Sequence, residues 1–97
     1  MSEEKRKPVD GKYLMYRGKP LVREGNTICY GDMNDKYMLI LDILNYKTVN
    51  GQQVPDSVMV QLVESKNPSN CKNQSTKQGL TTAFNLGMVW LDLENRE

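Results

Sequence analysis

The chain has 97 residues, enough for one domain and one buried core without metal or disulfide staples. Thirteen Lys and Arg stand against twelve Asp and Glu, a formal charge of +1, which excludes a protein held to nucleic acid or membrane by net charge alone. Histidine is absent, and with it go the commonest general base, the commonest metal ligand and every Cys–His or Ser–His arrangement.

Residues 1–11 are charged and hold Pro8, Gly11 and only Val9 as an apolar anchor. They read as a disordered tail ahead of a single domain over 12–97. Glu3 and Glu4 offset Lys5-Arg6-Lys7, which reads as solvated. No apolar stretch of a secretory signal follows, and no run reaches the length of a membrane helix. A cytoplasmic protein without membrane contact is expected. Cys29 and Cys71 fit neither CxxC nor metal-ligand spacing and are expected as free thiols.

Tyr13-Leu14-Met15-Tyr16-Arg17 reads as a first strand and Gly18-Lys19-Pro20 as a turn. Leu21-Val22-Arg23 is its hairpin partner, Glu24-Gly25-Asn26 a second turn, and Thr27-Ile28-Cys29-Tyr30 a third strand of β-formers. Residues 31–36 form a polar loop. Asp32 and Asn34 faintly follow a calcium loop, but Tyr37 stands where that loop needs Gly and Ile43 where it needs Glu. A polar turn is expected there.

Residues 37–64 read as two long strands joined at Asn50-Gly51, because both positions of that tight turn need φ > 0 and these residues tolerate it. With Val49 opposite Gln52, Leu39 faces Leu62, Leu41 faces Val60 and Ile43 faces Val58. Directly opposed residues share a face, so this register builds one wholly apolar face. A slip of one residue scrambles both faces; a slip of two preserves them. Pro55 has no N–H to donate, so the second strand is at an edge, bulged, or begins near Asp56. The opposite face carries Met38, Ile40, Leu44, Met59 and Val63, diluted by Asp42, Ser57 and Gln61.

Residues 65–74 hold no large apolar side chain except Cys71 and read as a loop. Ser75-Thr76-Lys77-Gln78 matches a capping box, and a helix is expected over 78–95. Leu80, Phe84, Met88 or Gly87, and Leu91 form its apolar stripe, flanked by Ala83 and Trp90. Gly87 either lets the helix approach the sheet closely or kinks it. Leu86, Val89 and Leu93 lie off the stripe. The expected fold is α+β: a five-stranded antiparallel meander, as a bent sheet or partly open barrel, with one C-terminal helix.

No catalytic, cofactor or metal residue is predicted, and the protein is expected not to be an enzyme. Asp42 lacks a second carboxylate to work with, and no Gly-rich phosphate loop is present. Surplus apolar surface makes Met38, Ile40, Asp42, Met59, Gln61, Val63, Leu86, Val89 and Leu93 a candidate interface for a protein partner or a second copy. The alternative is a small sheet binding single-stranded nucleic acid through Tyr13, Tyr16, Arg17, Lys19, Arg23 and Tyr30. Bases stack on such rings while cations hold phosphates.

The run Tyr13-Leu14-Met15-Tyr16-Arg17-Gly18-Lys19-Pro20-Leu21-Val22-Arg23, then Gly25-Asn26-Thr27-Ile28-Cys29-Tyr30-Gly31-Asp32-Met33, resembles a family of small Firmicutes proteins of unknown function. Val60-Gln61-Leu62 and the spacing Gly79-Leu80, Ala83, Gly87, Trp90-Leu91 are similar too. The likeness covers about residues 12–91 and implies a bacterial cytoplasmic protein. It carries over no activity and no site residues.

Overall fold

The computed structural model describes residues 12–32 and 34–94, with side chains from Leu14 onward. The predicted tail over 1–11 lies outside the described residues. Eight strands and one helix are described: β1 (Lys12–Tyr16), β2 (Lys19–Glu24), β3 (Thr27–Tyr30), β4 (Tyr37–Ile43), β5 (Tyr46–Val49), β6 (Gln52–Pro55), β7 (Ser57–Glu64), β8 (Asn67–Gln78) and α1 (Leu80–Glu94). Six strands form one antiparallel sheet in the order β1-β2-β3-β4-β7-β8, and β5 pairs with β6 in a separate ribbon. The sheet is open, with β1 and β8 at its ends.

The long hairpin keeps the predicted register throughout. Leu39 pairs with Leu62, Leu41 with Val60 and Ile43 with Val58 in the sheet, and Val49 pairs with Gln52 at the ribbon's tip. Pro55 lies inside β6 opposite Tyr46, so β6 holds no place in the main sheet. The two halves meet at Leu44-Asn45 and Asp56-Ser57. Leu44 N–H donates to the Ser57 carbonyl at 2.8 Å, Asp56 N–H to the Asn45 carbonyl at 2.9 Å, and Ser57 N–H to Asn45 Oδ1 at 2.8 Å. The backbone groups freed at the bend are thereby bonded. Tyr46 ties the ribbon back to the sheet: its hydroxyl donates to Asn26 Oδ1 at 2.7 Å and accepts from Arg23 Nη2 at 3.1 Å.

The first turn is tighter than expected. Arg17 and Gly18 alone connect β1 to β2, with φ of 53° and 80°, and Lys19 and Pro20 belong to β2. Asn50 and Gly51 have nearly the same geometry, 52° and 80°. Both are two-residue turns with positive φ at each position, which match the right-handed twist of the strands they join.

Residues 67–78, expected as a loop followed by a helix cap, are one long edge strand. The reason lies in β7. Val58, Val60 and Leu62 are fully buried, so the β7 backbone must be hydrogen-bonded on both sides. β4 serves one side and β8 the other. An edge strand tolerates polar side chains on both faces, and the ladder shifts register at Leu62/Val63 and Val63/Glu64. Ser75 and Gln78 pair with Val60 and Ser57 and cap nothing. Gly79 stands at the start of α1 instead, with φ 90° and its carbonyl accepting from Ala83 N–H at 3.1 Å.

The core lies between α1 and one sheet face. Across the strands run the rows Leu21, Tyr30, Leu39, Leu62 and Ile28, Leu41, Val60. Ala83 and Leu91 of the helix are buried against them, with Leu80, Phe84, Leu86, Met88 and Trp90 partly buried around the rim. Gly87 is the point of closest approach: a Cβ there would meet Leu39 Cδ1 at 2.9 Å and Val60 Cγ2 at 3.0 Å. Of the two expectations for Gly87, the structure realises the close approach.

Candidate interaction surface

The sheet has a second face, and α1 does not pack on it. Directly opposed residues again trace rows across the strands. Val22, Cys29, Ile40, Gln61 and Gln74 form one row; Thr27, Asp42, Met59 and Thr76 form another; Met38 lies opposite Val63. The middle of this face is apolar and half-buried: Cys29, Ile40, Met38 and Met59, with Val22 more open.

Two polar pairs cross it. Thr27 Oγ1 donates to Asp42 Oδ1 at 2.7 Å, and Gln61 Nε2 donates to Gln74 Oε1 at 3.1 Å. Asp42 therefore has a neighbouring hydroxyl as its partner. Burial pushes the Cys29 thiol up from its ordinary value, and the charges of Asp42 and Glu24 add to the shift. Cys29 and Cys71 are both free.

The predicted interface residues divide between opposite sides of the molecule. Met38, Ile40, Asp42, Met59 and Gln61 share the open face. Val63 has the same parity but is 1% exposed, so it is core and offers no contact surface. Leu86, Val89 and Leu93 are on the helix. Leu86 packs against the core, while Val89 and Leu93 are each 56% exposed. One continuous surface cannot contain both groups.

The aromatic and basic residues also divide. Tyr13's side chain lies outside the described residues. Arg23 sits at the far end of β2, donating to the Gly25 carbonyl and to Tyr46. Tyr16, Arg17, Lys19 and Tyr30 do gather, at the tip of the first hairpin. Tyr16, Tyr30 and Phe84 make a triad of edge-to-face contacts with centroids 5.6–5.8 Å apart. Tyr30 is 1% exposed and donates its hydroxyl to the Tyr16 carbonyl at 2.7 Å. Burial pushes its phenol up, against the opposing pull of Lys19 and Arg17. Lys19 is ion-paired with Asp35, and the Arg17 guanidinium lies 5.3 Å from the Tyr16 ring centre. Stacking of nucleic-acid bases needs open ring faces; Tyr30 has none, and Tyr16 already packs against two rings and a cation.

An open cleft of about 470 Å³ adjoins this cluster, walled by Arg17, Lys19, Tyr30, Met88, Val89, Leu91 and Asp92. Of its helical wall, Val89 is among the predicted interface residues, and Met88, Leu91 and Asp92 are not. The usable signal was the off-stripe position of Val89, one turn before Leu93. Where a polar turn is expected, Asp32 Oδ1 accepts from Asn34 N–H and the Asp32 carbonyl from Asp35 N–H, each at 2.9 Å. Among the described residues no group of three or more acidic or Cys side chains could hold a metal, and no helix is long and apolar enough to cross a membrane.

Comparison with family models, curated proteins and solved structures found no match.

Proposed function

We propose that the protein is a non-enzymatic interaction module that associates with a second copy of itself through the sheet face turned away from α1. The observation that carries this reading is the row Val22, Cys29, Ile40 with Met38 and Met59 beside it. It is an apolar surface at the middle of a six-stranded sheet, on the side the helix leaves uncovered.

Three features favour a second copy as the occupant. The face carries two carboxylates, Asp42, bonded to Thr27, and Glu24, opposite Thr27 on β2, and no larger cluster of one sign that would select an oppositely charged partner. The whole chain is nearly balanced, at +1, so two copies do not repel strongly. Six strands spaced about 4.8 Å apart, with central strands of about 20 Å, give a flat footprint of roughly 500 Å². Side-chain relief raises its accessible area toward the ~800 Å² per partner of a standard interface. A twofold axis normal to the strands then sets the face against itself.

Light scattering over a range of protein concentrations tests this. Dimer mass that Val22→Lys abolishes supports it; monomer mass at millimolar concentration overturns it. In a parallel titration with mixed single-stranded oligonucleotides at low salt, salt-dependent micromolar binding by Tyr16, Arg17 and Lys19 would replace this reading with the nucleic-acid one.

A further inference from the structure

The two tight turns of this protein have the same backbone geometry and different chemistry. At the first position of the second turn stands Asn50, φ 52°, a residue that tolerates the left-handed region. At the equivalent position of the first turn stands Arg17, φ 53°. Nothing in the turn itself calls for arginine, whose Cβ is disfavoured in this conformation. Its guanidinium rests by the Tyr16 ring at 5.3 Å and has no ion pair among the described residues. It borders the open cleft of about 470 Å³.

We propose that this cleft is a binding site for an amphipathic monocarboxylate. Arg17 holds the carboxylate, and the aliphatic body lies along Met88, Val89 and Leu91. The volume is within the roughly 300–1,000 Å³ of small-ligand sites. The planar guanidinium matches a carboxylate through two parallel hydrogen bonds, and the Tyr16 ring restricts its orientation before a ligand arrives.

The balance of charge around the cleft selects a single negative charge. Lys19 is already paired with Asp35, which leaves Arg17 as the anchoring cation. One guanidinium matches one carboxylate, and a dianion such as phosphate would keep an uncompensated charge there. The apolar wall gives the tail a surface that water solvates poorly: Val89 is 56% exposed. This site is on the helix side of the sheet and is independent of the proposed dimer face.

Methyl NMR of the full chain tests the proposal, with octanoate as the probe and 1-octanol as the uncharged control. Octanoate is expected to shift the Met88 and Val89 methyls saturably, with octanol at least tenfold weaker. Arg17→Asn, a residue the second turn already accepts, is expected to weaken octanoate at least tenfold and leave octanol unchanged. Val89→Glu, at an exposed position, is expected to weaken octanoate as well. A dipeptide ending in a free leucine carboxylate, compared with its amide, distinguishes a peptide C-terminus from a free fatty acid as the source. Whichever carboxylate binds more tightly names the ligand. Absence of saturable shifts with both carboxylates, equal binding of octanol, or undiminished binding by Arg17→Asn would overturn the site.

Discussion

Gly87 of the helix lies against Leu39 of the central strand with no room for a methyl group: a Cβ would stand 2.9 Å from Leu39 Cδ1 and 3.0 Å from Cδ2. Leu39 is fully buried, as is Val60 on the other side of the contact, so neither side chain can swing into solvent. Gly87→Ala gains about 1 kcal/mol of helix propensity and incurs about 1–3 kcal/mol of overpacking. The expected result is a net loss of about 1 kcal/mol, and a larger loss for Gly87→Val. Urea unfolding measures both; an increase in stability for the alanine variant would show that the helix lifts off freely.

Gly31 is the stricter case. Its φ is 136°, and a Cβ would meet Met38 Cβ at 2.8 Å and Cα at 3.2 Å. Backbone cannot rotate aside as a side-chain end can. Gly31→Ala is therefore expected to lose more than about 2 kcal/mol, from steric strain and the disfavoured backbone together, and more than Gly87→Ala in the same urea series.

Ser65 opens the turn into β8 and is completely buried, and its hydroxyl finds no hydrogen-bond partner among the described residues. A buried hydroxyl without a partner costs about 1–3 kcal/mol of desolvation. Ser65→Ala removes that cost and leaves the Ser65 N–H bond to the Lys36 carbonyl at 3.0 Å intact. Thermal unfolding is expected to show a gain of about 1 kcal/mol; a loss would mean the hydroxyl is satisfied in solution.

The two thiols should behave differently toward pH and alkylation. Cys29 is half-buried and its pKa is raised above the ordinary 9.0 by burial, then by Asp42 and Glu24. The unfolded chain therefore ionises this thiol first. The stability linked to Cys29 is intact below pH 9.0 and falls as pH rises from there through the higher folded value. Cys29→Ala is expected to flatten that fall. At pH 8, iodoacetamide is expected to modify exposed Cys71 before Cys29, as read by peptide mass spectrometry. Equal rates would contradict the burial of Cys29.

The long hairpin was legible because its information is local and doubled: a turn that needs positive φ, and two apolar strands whose alternation agrees in only one parity. The helix was legible from Leu80, Ala83, Phe84, Gly87 and Leu91. β8 was not, because its side chains carry no apolar alternation. It is a strand because the buried backbone of β7 needs a second neighbour, and that requirement is tertiary. Ser75 and Gln78 have the spacing of a cap, but the ladder with β7 takes both residues first. The sheet therefore has six strands where five were expected. The division of the candidate interface was hidden for a similar reason. Alternation picked out the core face of the strands, yet only the packing of α1 on that face shows that its off-stripe residues lie away from the open one. That packing leaves Met38, Ile40 and Met59 on one side of the molecule and Val89 and Leu93 on the other.

Sedimentation of the wild-type chain beside Ile40→Lys and Val22→Lys tests the proposed interface most directly. Ile40 is at the centre of the open face; Val22 is 36% exposed on the same row, so its replacement leaves the core untouched. A lysine at either place sets like charges against each other across a twofold axis. The wild type is expected to sediment as a dimer at micromolar concentration and both variants as folded monomers. A monomeric wild type, or dimers undiminished in both folded variants, would contradict the assignment of the open face.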